Sequence, residues 1–181
     1  MQTMRKMMML LLVLTCIIQA TGQYKTVPQL IKELEDHPQQ DAFRVDKLND
    51  LSFNYFFLWD ERRKFMEEAL SVSQKINYSA GEACALASIG YYRAIDGKVQ
   101  EGDSLLKRAE SLVQKSGDPN LTGILLFRIG MKKLNSGDKE GMDDLFKAEK
   151  IFENSNNYDK QPTFTEESHK IFNKQLIVVI V

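Results

Sequence analysis

The chain is poor in the residues that usually announce a chemistry. Two cysteines, Cys16 and Cys84, stand far apart in 181 residues, so no disulfide framework staples the fold. Cys84 lies among Ala83, Ala85, Leu86 and Ala87 with no histidine near it, the setting of a small packed side chain rather than a nucleophile. Only two histidines occur, His37 and His169, and no HExxH, CxxC or paired-histidine spacing exists, so no metal site is expected. No glycine-rich phosphate loop is present; Gly97, Gly102, Gly137 and Gly141 read as turn and packing positions. Adjacent acids such as Glu67-Glu68 and Asp143-Asp144 point about 100° apart on a helix and cannot flank one substrate atom. A net charge of −1 offers no basic field for nucleic acid or an anionic membrane. Four prolines and the absence of a long low-complexity run exclude wholesale disorder. These absences point to a non-enzymatic protein without cofactor or metal.

What is present begins with a leader. Residues 1–22 carry Arg5 and Lys6, an apolar run from Met7 to Ile18, and small residues at Ala20 and Gly22. That order of charge, apolar core and small residues is a secretory signal peptide, and the run is too short to cross a bilayer. The expectation is export to the periplasm or cell envelope, with Cys84 the one thiol of the mature chain.

The body of the sequence repeats itself. Ile89-Gly90 matches Ile129-Gly130, and Gly97 matches Gly137, forty residues apart. Glu101-Gly102 matches Glu140-Gly141, and Arg108-Ala109-Glu110 matches Lys147-Ala148-Glu149, thirty-nine apart. A degenerate copy upstream has Leu51-Ser52 for Ile-Gly and Glu68-Ala69-Leu70 for Arg-Ala-Glu, with its turn expected at Trp59-Asp60. Apolar residues recur at helical spacing, Leu86, Ile89, Tyr92 and Ala94 before the turn, Leu105, Leu106, Ala109, Leu112 and Val113 after it. Each unit therefore reads as two helices joined at a glycine turn. The glycine or serine of the first helix admits a close backbone, the turn glycine accepts positive φ, and the second helix's alanine faces the crossing. One unit cannot bury both of its apolar faces, but stacked units can.

This pattern resembles the tetratricopeptide repeat (TPR). Leu86-x-x-Ile89-Gly90, Leu126-x-x-Ile129-Gly130 and Leu48-x-x-Leu51-Ser52-x-x-Tyr55 follow the first-helix motif, and Gly102-x-x-x-Leu106-x-x-Ala109 follows the second with Gly for Ala. The resemblance implies an all-α, TPR-like solenoid of about three antiparallel helix pairs with flanking cap helices. The repeats are placed at residues 45–153, in units of about 45–78, 83–117 and 121–153. An N-terminal cap region covers 23–44, with a helix over Pro28–Asp36 that turns Leu30, Ile31 and Leu34 to one side. Residues 154–181 read as a linker, a helix over Thr165–Gln175 and the apolar tail LIVVIV.

The resemblance also implies a partner surface. The family lines its concave face with the first helix of each pair. Counting those positions onto this chain gives a groove of Phe53, Phe57, Tyr91, Ile95, Phe127, Met131 and Leu134, beside Cys84, Asn135 and others. That groove lacks the Lys/Asn/Arg set with which some family members clamp a terminal carboxylate. The implied function is an exported interaction scaffold that binds a peptide or partner helix. The alternative is a truncated extracytoplasmic sensing domain of a membrane-bound sensor kinase or transcriptional regulator. Membrane attachment would then begin at LIVVIV, if the chain continues past Val181.

Overall fold

A computed structural model describes residues 27–53 and 59–154. The leader, Phe57, the Thr165–Gln175 segment and the LIVVIV tail lie outside the described residues. Within them the regular structure is entirely helical, seven helices in order. These are α1 (Val27–Asp36), α2 (Ala42–Phe53), α3 (Trp59–Lys75), α4 (Ser79–Ile95), α5 (Val99–Ser116), α6 (Pro119–Asn135) and α7 (Gly141–Asn154). None of them is long and apolar enough to cross a membrane.

Neighbouring helices pair as α2 with α3, α4 with α5, and α6 with α7. The first helices of the pairs also pack on one another, α2 on α4 and α4 on α6, and α1 lies against α2. Each first helix begins a few residues ahead of the repeat starts placed at 45, 83 and 121. Trp59-Asp60, expected as a turn, instead opens α3. Asp60 and Glu61 fall in the first turn of that helix, where acidic side chains meet the positive end of the helix dipole.

Local chemistry explains the helix ends. At the ends of α3, α4 and α6 the same pair of backbone bonds recurs. Tyr78 N–H donates to Ser73 O, Lys98 to Arg93 and Asp138 to Lys133, at 2.8, 2.9 and 2.9 Å. The residue before each donor bonds three positions back and takes positive φ, 57° at Asn77, 84° at Gly97 and 82° at Gly137. This closure satisfies the last free carbonyls of a helix and needs a residue that tolerates the left-handed region. At the start of α6, the Asp118 carboxylate accepts from Asn120 N–H at 2.8 Å, with Pro119 pre-set for the first turn.

The pairs cross on glycine. A Cβ at Gly102 would stand 2.5 Å from Gly90 O and 2.8 Å from Ala94 Cβ. In the next pair, Gly141 meets Gly130 O and lies under Leu134 and Lys133. The point of closest approach is thus a glycine–glycine contact, not the alanine of the second helix. Ala69, Ala109 and Ala148 are nonetheless fully buried. Ala109 belongs to a cluster with Ala83, Leu86, Leu121 and Leu125, between its own pair and the next.

Ion pairs link the helices at partly exposed positions, with Asp144 itself buried. Arg44 holds Glu68 at 2.6 Å, Arg93 holds Glu101 at 3.2 Å, and Lys133 holds Asp144 at 2.7 Å. Arg108 pairs with Glu82, and Lys132 with Asp103. The Asp144 carboxylate raises the Lys133 ammonium above its ordinary range. Exposed pairs of this kind contribute at most about 1 kcal/mol each, so the apolar clusters carry the stability.

Candidate functional site

The row α2–α4–α6 gathers most of the side chains singled out from the sequence. Tyr91, Phe127 and Met131 share one apolar cluster with Tyr92 and with Leu145, Ala148 and Phe152 of α7, and Leu134 packs at its edge. Asn135 Nδ2 donates to Tyr91 Oη at 3.1 Å and to Met131 O at 2.9 Å, which ties α6 to α4. Tyr91, Phe127 and Met131 are each only 7% exposed. They form the floor between adjacent first helices rather than an open wall, because α4 and α6 pack directly on each other. Phe53 and Leu134 are half-buried, while Ile95 is 44% exposed at the end of α4 and belongs to no apolar cluster among the described residues. Phe57 lies outside the described residues.

At the centre of this floor stands a residue the periodicity hid. Arg128, on α6, is 1% exposed. Its guanidinium carbon lies 4.1 Å from the ring centre of Phe53, 5.4 Å from Tyr91, 5.5 Å from Tyr92 and 5.8 Å from Phe127. Rings at these distances attract a cation through their negative faces. Tyr91 and Tyr92 meet edge to face at 4.8 Å, a geometry that orients their faces differently around the charge. A second guanidinium shares the cage. Arg62 Nη1 donates to Tyr92 Oη at 2.6 Å, and the group lies 5.2 Å from that ring's centre. Among the described residues, no hydrogen-bond partner reaches the buried Arg128 Nε and Nη2. The one sequence signal was that Arg128 interrupts an otherwise uncharged run, LTGILLFRIGM.

Register deepens the anomaly. Forty residues before Arg128 stands Ser88, and in the register that sets Leu48 and Leu51 on Leu86 and Ile89 the first copy has Asp50 there. Ser88 and Arg128 are buried, while Asp50 is only partly so. The same place thus holds an acid, a serine and an arginine in the three copies. Ser88 Oγ, like the arginine edge, has no hydrogen-bond partner among the described residues.

Cys84 sits on α4, half-buried. Burial of its sulfur, with the charges of Asp46, Asp50 and Asp118, pushes the thiol up to about 12, against a weaker opposite pull from Arg128. A thiol so protonated is not a nucleophile at neutral pH. Burial likewise raises the Tyr78 phenol, whose hydroxyl donates to Asp46 Oδ1 at 3.0 Å. Among the described residues no group of three His, Cys, Asp or Glu side chains is placed to hold a metal ion. What the arrangement offers is an aromatic floor with a buried cation.

Compared with known families, characterised proteins and solved structures, the chain gives no match, so its functional reading rests on this geometry.

Proposed function

We propose that the chain is a non-catalytic, TPR-like interaction scaffold that holds a peptide or a partner helix along the row α2–α4–α6. The observation that carries this reading is the convergence of Phe53, Tyr91, Phe127, Met131 and Leu134 from three first helices onto one side of the stack. In this reading the pairs form a short solenoid. Its floor is the buried Tyr91, Phe127 and Met131, and its rim is Phe53, Leu134 and the exposed Ile95. A helical ligand would present apolar side chains to that rim at one-turn spacing. Placement outside the cytoplasm draws on the leader pattern of residues 1–22 alone.

The floor residues are too buried to serve as a clean test, since cutting Tyr91 or Phe127 to alanine would cost about 3–5 kcal/mol of stability. The rim serves better. A photo-crosslinking amino acid at Ile95, in the native host, is expected to give one discrete partner adduct. The same label at Phe146, exposed on α7, is the control and should give none. An adduct from position 146 alone would move the interface to the outer row and overturn the proposal.

A further inference from the structure

We infer that Arg128 is a brace that joins the first helix pair to the third, so that the stack opens as one unit rather than pair by pair. The brace needs no bound partner. In a row of stacked pairs each pair ordinarily touches only its neighbours, and a change in one is felt next door and little beyond. Here α2 packs on α4 and α4 on α6, which sets α4 between the other two. The Arg128 side chain starts on α6, in the third pair, yet its guanidinium carbon lies 4.1 Å from the ring centre of Phe53, the last residue of α2 in the first pair. The same carbon lies 5.4 and 5.5 Å from the rings of Tyr91 and Tyr92 on α4. One charge thus holds rings from all three pairs.

Two other contacts run the same way. Met66, on α3 of the first pair, is 1% exposed and shares an apolar cluster with Tyr91, Tyr92, Phe127 and Met131, and with Leu145 and Phe152 of α7. That cluster therefore runs through all three pairs. Arg62, also on α3, donates from Nη1 to Tyr92 Oη at 2.6 Å, which fastens the first pair to a ring that Arg128 meets from the third. The second copy shows what the brace requires. It has Ser88 at the place of Arg128, and a hydroxymethyl group cannot reach past a neighbouring helix. Arginine combines a long apolar stem with a planar head that stacks on rings. Among the described residues no hydrogen bond reaches Nε or Nη2, so the hold on Phe53 is that of a cation on a ring, which withdrawal from water strengthens.

The test uses the full chain in four forms: wild type, R128M, F53L and the double variant. Methionine removes the charge together with its desolvation cost, so the readout is the coupling of the two sites and not the stability of either variant. In urea unfolding the two changes should depart from additivity by at least about fivefold in the unfolding constant, the lower end for such a contact. Amide hydrogen exchange in R128M should change at Leu51, Ser52 and Phe53, in the first pair, as well as on α4 and α6. A third readout leaves Arg128 in place. With nitrogen-15 labelling, the Arg128 Nε–Hε resonance should move in F53L, because the ring nearest the guanidinium is gone. That resonance decides the matter even if R128M does not fold. Additive variants, exchange changes confined to α4, α6 and α7, or an Arg128 resonance unmoved in F53L would each mean that the pairs touch their neighbours alone, and would overturn the inference.

Discussion

Gly102→Ala separates the structure from the sequence pattern it resembles. The family pattern carries alanine at this place, so on pattern alone the change restores a consensus residue and should stabilise. Alanine exceeds glycine in helix propensity by about 1 kcal/mol. The structure gives the opposite sign. The new methyl would stand 2.5 Å from Gly90 O, 2.8 Å from Ala94 N and 2.8 Å from Ala94 Cβ. Backbone atoms and a Cβ cannot rotate away, so α4 and α5 must separate along their whole crossing, an overpacking cost of about 3 kcal/mol. The net expectation is a loss of about 2 kcal/mol, or a fall in Tm of roughly 5–10 °C by circular dichroism. Gly141→Ala should behave alike, because its methyl would meet Gly130 O, Leu134 Cγ and Lys133 Cβ, the last two at 2.9 Å. An unchanged or raised Tm in either variant would mean that the helices cross farther apart, and would refute the glycine–glycine contact as the pivot of the pairs.

Two further outcomes follow from the packing and the helix ends. Ala109→Glu, at a position with no solvent exposure, should cost more than about 3 kcal/mol and abolish cooperative melting, and a soluble variant with unchanged melting would refute the packing of α5 between neighbouring pairs. Asp41 accepts from Arg44 N–H at 3.1 Å and from His37 at 2.8 Å; the first bond, then the second, holds its carboxyl below the usual range. Its stabilisation is therefore present at neutral pH and lost as pH falls through that lowered value, so Asp41→Asn should flatten the acid limb of Tm against pH. Parallel acid limbs in wild type and variant would refute it.

How much of this was legible in the sequence depends on which physical property a pattern encodes. Helix type and turn chemistry were legible, because a turn glycine either stands at positive φ or does not, and Gly97 and Gly137 do. The first pair's connection was misread, because Trp59-Asp60 offers no glycine and its acid favours a helix start as readily as a turn. Tyr91, Phe127 and Met131 were placed by register on a concave face. Register fixes a direction around the helix but not what stands there, and the neighbouring first helix stands there. Arg128 was missed for a related reason. Periodicity scores an arginine as a surface residue whose stem can reach water, and nothing local tells that case from a buried guanidinium. The tell was the charge itself, which interrupts the uncharged run LTGILLFRIGM where the second copy has Ser88. A repeat architecture makes such a departure informative. The second copy keeps this position buried with a serine, so the arginine of the third carries a desolvation cost that the helix packing does not require, offset in part by the faces of Phe53, Tyr91, Tyr92 and Phe127.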